Sequence, residues 1–137
     1  MKLCSACLLG IHCRYDGGSE KNQKILDLAR KEMLIPICPE QLGGLPTPRI
    51  PAEQQGARVV TKEGRDVSEN FHRGAQEALR LARLYSIGEA ILKQKSPSCG
   101  VGQIYDGTFS GRIISGNGVT AALLKESGIR AMSEEDL

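Results

Sequence analysis

Short apolar runs alternate with helix-patterned segments along this chain, and that alternation constrains the fold more than any other feature. Residues 1–5 read as a strand, followed by a helix from about 22 to 31 with Ile25, Leu28 and Ala29 on one face. Leu34-Ile35-Pro36-Ile37-Cys38 reads as a second strand cut off by Pro39, and Pro36 argues for a strand edge or start. Residues 57–61 give a short strand. Asp66 and Glu69 resemble a capping box, opening a helix that runs to about Tyr85 and buries Phe71, Ala75, Ala78, Leu79 and Ala82. Residues 87–92 form a buried strand that ends before Ser96-Pro97, because Pro97 has no N–H for a ladder and biases Ser96 away from helix. A hairpin or irregular turn over 105–111, a strand over 112–115, a helix over 119–127 and a strand over 129–132 complete the chain. The pattern predicts an α/β fold: one three-layer, Rossmann-like domain over 1–137, with a mainly parallel sheet and helices on its faces.

At 137 residues the chain can bury one real core. Aromatics make up only 4% with no Trp, and the net charge is +2. Base-stacking platforms of the kind single-strand binders use are therefore not expected, the field is only weakly basic, and no nucleic-acid polymer is expected as a partner. The apolar stretch near Met1 is too short for a signal peptide or a membrane span, so the expected location is cytoplasmic, with no membrane partner. Five cysteines, an odd number in such a chain, point to metal binding or catalysis before a disulfide framework.

In open parallel sheets, ligands bind outside the carboxyl ends of the strands. Cys7 follows the first strand, Cys38 ends the second and Cys99 follows the strand at 87–92, so the three meet on one rim. They are either small buried hydrophobes or ligands; as ligands, three thiolates without a well-placed histidine suit a soft metal or an iron–sulfur cluster. A structural zinc site wants four ligands in close-spaced pairs, and that pairing is missing. Cys4 begins a C-x-x-C with Cys7, but within an extended strand the two side chains point to opposite faces, which makes Cys4 a core residue. Cys13 is a spare ligand or a surface thiol. His12 lies in the first loop, and His72 sits on the exposed side of a helix. Gly116-Asn117-Gly118 reads as a turn before a helix rather than a phosphate site.

Six segments taken in order resemble the thiouracil desulfurase family: Ser5-Ala6-Cys7-Leu8-Leu9-Gly10, Arg14-Tyr15-Asp16-Gly17, Cys38-Pro39-Glu40, Gly44-Leu45-Pro46-Thr47-Pro48-Arg49, Ser96-Pro97-Ser98-Cys99-Gly100 and Tyr105-Asp106-Gly107-Thr108-Phe109-Ser110-Gly111. The resemblance implies a [4Fe-4S] cluster on Cys7, Cys38 and Cys99 and a non-redox desulfuration of a small thiolated substrate such as 2-thiouracil, in which water replaces sulfur at carbon. It further implies Glu40 as the acid/base and Ser96 as a hydrogen-bonding or proton-relay partner, with Ser98 and Asp16 positioning substrate. The competing readings are a cluster-dependent sulfur transferase or lyase on another small substrate, and a non-catalytic metal- or cluster-binding module.

Overall fold

The computed structural model describes residues 1–137. The first half of the chain carries β1 (Lys2–Ser5), α1 (Gln23–Ala29), β2 (Leu34–Ile37), α2 (Pro39–Leu42), β3 (Ala52–Gln55) and β4 (Arg58–Thr61). The second half carries α3 (Ser68–Leu84), β5 (Glu89–Leu92), β6 (Gln103–Tyr105), β7 (Ile113–Ser115), α4 (Val119–Glu126) and β8 (Arg130–Ser133).

The central sheet runs β2-β1-β5-β8, and every neighbouring pair is parallel. Side chains alternate across it with period two. Leu3, Ala90 and Leu92 face one way, toward Ala78, Leu79 and Ala82 of α3 and Ala121 and Leu124 of α4. Cys4 and Ile91 face the other way, toward Ile25 of α1. Each large aliphatic side chain buried in these layers contributes about 1.5–3 kcal/mol. The result is the expected α/β architecture, with helices on both faces of a parallel sheet. Pro36 sits on β2, an edge strand, where a missing N–H is tolerated. No helix is long and apolar enough to cross a membrane.

Some elements differ from the sequence expectation, which had neither α2 nor β6. The long helix opens at Ser68, because Asp66 is not its cap: Asp66 Oδ1 accepts from Ser68 N at 2.9 Å, and Oδ2 accepts from Arg58 Nε at 3.1 Å. The strand β3 was not expected at all. It pairs antiparallel with β4 although Ala-Glu-Gln-Gln carries no apolar alternation. Val59 of this hairpin packs with Val67 and Phe71 at the start of α3.

Strand order positions the site. The chain passes from β1 to β2 on one side, while β5 lies on the other, so the loops leaving β1 and β5 diverge and open a crevice. The short helix α2, which begins directly after Cys38, crosses α3 backbone to backbone. A Cβ on Gly74 would collide with the Pro39 carbonyl, and one on Gly43 with the Asn70 carbonyl. Asn70 Nδ2 also donates to Gly43 O at 2.9 Å, which holds α2, and with it Cys38 and Glu40, at the crevice mouth.

Candidate active site

A cavity of about 370 Å³ lies at the carboxyl edge of the sheet. Three elements deliver thiols to its wall: Cys7 from a 3-10 turn (Ala6–Leu9) after β1, Cys38 from the N-cap of α2, and Cys99 from the loop after β5. Cys13 joins them, and it is buried rather than a surface thiol. Cys4 points away into the layer with α1, as its strand position predicted. All five cysteines are free thiols.

The loop carrying Cys99 is held from several directions. Ser96 Oγ accepts from Ser98 N at 3.1 Å and from Cys99 N at 3.0 Å. Gln94 clamps Val101 through its N–H and its carbonyl, at 2.7 and 2.8 Å. Gln54 of β3 donates to Pro97 O at 2.9 Å. The start of α4 docks on the same loop: Val119 N donates to Pro97 O at 2.9 Å and Thr120 N to Ser98 O at 2.8 Å. Gly118 makes that approach possible, since a Cβ there would strike the Ser98 backbone. These helix N–H groups are already engaged by carbonyls, so Gly116-Asn117-Gly118 is the turn that the sequence suggested.

Glu40 faces the cavity with a fixed orientation. Arg49 Nε donates to Glu40 Oε1 at 3.0 Å, and Glu40 Oε2 makes no hydrogen bond within the chain. Arg49 is itself tied to Cys13 O at 2.9 Å and Thr47 Oγ1 at 2.9 Å, and its side chain is only 6% exposed. Such a cation is pre-organised, with little rotamer freedom left to lose.

Burial and mutual contact keep these thiols protonated until a metal displaces the protons. Burial pushes the Cys99 thiol up to about 12, against a lowering contact from the Ser5 hydroxyl. The hydrogen-bonded contact with Cys13, together with burial, raises Cys38 as well. Cys13 is lowered by that contact, but its bond with Cys7 and burial more than offset this, leaving it at about 11. Thiols raised in this way lose their protons to a metal rather than to water. Among the wall cations only the Arg49 guanidinium pulls Cys13 and Cys38 the other way, while Arg14, Lys93 and Lys95 are paired with Glu20, Glu134 and Glu135. Soft sulfur donors are the donor set that iron–sulfur clusters use. The residues fit the group.

The family model described as 2-thiouracil desulfurase matches residues 3–136. The chain belongs to the 2-thiouracil desulfurase family. It is 47% identical, over 147 residues, to the uncharacterized protein YbbK of Bacillus subtilis (strain 168), with 100% of this chain and 97% of that protein covered. Its fold is similar to the solved structure of the [4Fe-4S]-dependent thiouracil desulfidase TudS (DUF523Vcz), with a TM-score of 0.95 and 48% identity over 99% of this chain and 91% of that one.

In this member of the desulfurase family, the residues singled out from sequence separate by position. Cys7, Cys38, Cys99, Glu40 and Ser96 line the cavity. Ser98 does not: it is 0% exposed, and its hydroxyl pairs with Thr120 Oγ1 at 2.9 Å on the α4 side of the loop. Asp16 is also off the wall, accepting from Gly18 N at 2.8 Å in its own turn. His12 and His72 are exposed and lie outside the cavity. Sequence reasoning missed the Arg49–Glu40 pair, the Gln94 clamp and the cavity position of Cys13. The spacing that brings Arg49 back to Glu40 depends on the path of the proline-rich loop, which residue pattern does not encode. Lys93 and Lys95 partner the acidic end of the chain, Lys93 Nζ lying 3.1 Å from Glu134 and Lys95 Nζ 3.9 Å from Glu135.

Proposed function

We propose that this enzyme removes sulfur from a small thiolated ring such as 2-thiouracil, giving the oxo product and sulfide, with a [4Fe-4S] cluster held by Cys7, Cys38 and Cys99. The observation that carries this reading is the convergence of those three thiols with the Glu40 carboxylate on one cavity. The family match and the likeness to a [4Fe-4S]-dependent thiouracil desulfidase support it. This reading puts the chemistry in the single domain over residues 1–137 and in the cytoplasm, where thiols stay reduced.

When bound, the cluster supplies a Lewis-acidic iron with affinity for the substrate's sulfur. The chain's own residues do the rest. Glu40 keeps Oε1 on Arg49 and offers Oε2 to a water aimed at the thiocarbonyl carbon, taking its proton as attack proceeds. Ser96 has both lone pairs engaged by Ser98 N and Cys99 N, so its hydroxyl is left only to donate, toward an oxygen or sulfur of the substrate. The carbon–sulfur bond breaks as the carbon–oxygen bond forms, with no net change of oxidation state.

The test is anaerobic reconstitution with iron and sulfide followed by incubation with 2-thiouracil. Uracil and free sulfide are expected in equal amounts. Stoichiometric zinc in place of iron, or loaded protein that leaves 2-thiouracil intact, would sink the reading. A second measurement separates the two hydroxyls of the loop. Ser98→Ala leaves Thr120 Oγ1 buried without its partner and is expected to cost about 1–3 kcal/mol of stability in a denaturant titration, with KM unchanged. A raised KM with unchanged stability would return Ser98 to the substrate.

A further inference from the structure

The segment Tyr105-Asp106-Gly107-Thr108-Phe109-Ser110-Gly111 has no part in the chemistry above, yet it is built with unusual care. The chain has two Phe, three Tyr and no Trp, and three of these, Tyr15, Tyr105 and Phe109, line the cavity. Phe71 is core, and Tyr85 lies exposed at the end of α3. A chain poor in aromatics therefore concentrates them where the substrate would sit.

Phe109 is also one of only three non-glycine residues with positive φ, at 57°. A bulky residue does not adopt this left-handed conformation without outside support. The support comes from Glu53, a buried carboxylate on β3 whose Oε1 accepts from Gly107 N at 3.0 Å and from Phe109 N at 3.1 Å. Gln55 of the same strand donates to Gly107 O at 2.9 Å. Within the loop, Asp106 Oδ1 accepts from Thr108 N at 2.9 Å and from the Thr108 hydroxyl at 2.6 Å. The polar residues that made β3 unreadable as a strand are thus the ones that fasten this loop.

We propose that Phe109, together with Tyr105, is the wall on which a planar heterocycle stacks, and that Glu53 is the positioning residue that holds Phe109 there. The inference deepens the desulfuration reading and rests on it for the identity of the cavity: it assigns the preference for a flat, conjugated ring over a small open-chain thioamide. A face-on aromatic wall rewards planar π-systems and gives little to a compact acyclic molecule.

The experiment compares 2-thiouracil with thioacetamide on cluster-loaded protein, and adds calorimetric titration with uracil, which needs no turnover. Phe109→Ala is expected to raise KM for 2-thiouracil about tenfold and to weaken uracil binding by a similar factor. The loss on 2-thiouracil should fall on KM more than on kcat and should exceed the loss on thioacetamide about fivefold, a ring-dependent difference that stacking alone predicts. Phe109→Tyr should restore the wild-type values. Glu53→Ala should reproduce the ring-specific loss, and Glu53→Gln, which keeps an acceptor for both N–H groups, should largely rescue it. Equal losses for both thioamides, or an unchanged uracil affinity in Phe109→Ala, overturns the proposal. If wild-type protein fails to desulfurate 2-thiouracil, the reaction assignment falls, while the uracil titration still decides the stacking wall; no uracil binding by wild type overturns that wall as well.

Discussion

Replacing Cys99 with alanine is expected to abolish cluster assembly while leaving the fold intact. Cys99 is 5% exposed on a loop that Ser96, Gln94, Gln54 and α4 hold in place independently of its sulfur. Loss of the thiol therefore removes a ligand without releasing the loop, and the stability cost stays near the ordinary point-mutation value of about 1 kcal/mol. The same result is expected for Cys7→Ala and Cys38→Ala. Two controls give the prediction its edge. Cys4→Ala deletes a thiol that is equally buried but faces the α1 layer, and should load normally. Cys13→Ala deletes a thiol on the cavity wall that stands outside the proposed ligand set, and should also load. The measurement is iron and acid-labile sulfide per chain after anaerobic reconstitution, with circular dichroism to report the fold. A Cys99→Ala protein with a full complement of iron would remove it from the ligand set, and loss of iron from Cys13→Ala would add a fourth thiolate.

How much of this site was legible in the sequence follows from the physics of each element. Strands β1, β2 and β5 announce themselves by apolar side chains, because both faces of a parallel sheet are covered. Once their order in the chain is fixed, the strand-end rule gathers Cys7, Cys38 and Cys99 with no further information. β3 was not legible: its residues serve hydrogen bonds to the Pro97 and Gly107 carbonyls and to the Gly107 and Phe109 N–H groups rather than a hydrophobic layer. A polar strand leaves no periodic trace. Ser96 and Ser98 are two residues apart and chemically identical, and only the docking of α4 against the loop decides that one faces the cavity and the other Thr120. Cys13 was undecidable for a similar reason, since whether a turn residue is surface or wall depends on what folds over it. Here Arg49 reaches its carbonyl from a loop far along the chain.

Glu40→Gln is expected to retain the cluster and to lose turnover by about 10²–10⁴-fold, the usual worth of a positioned general acid–base group. The substitution is chosen because glutamine keeps an oxygen for Arg49 Nε, now 3.0 Å from Glu40 Oε1, and so preserves the geometry of the wall. What it cannot do is accept the proton of an attacking water. Glu40→Ala should lose as much, but it also leaves the 6%-exposed Arg49 side chain without its anionic partner and so mixes a structural cost with a chemical one. The two variants therefore bracket the role: equal iron content in both, a lowered melting temperature in the alanine variant alone, and a common loss of kcat. Arg49→Lys tests the other half of the pair. A lysine supplies charge but cannot bridge Glu40, Thr47 and the Cys13 carbonyl at once, so the carboxylate loses its fixed aim. Its loss should be smaller than that of Glu40→Gln, because the base is still present and only its aim is impaired. Uracil release from 2-thiouracil under single-turnover conditions reads these losses directly, free of any change in product release. Wild-type rates in Glu40→Gln would take the proton transfer away from Glu40.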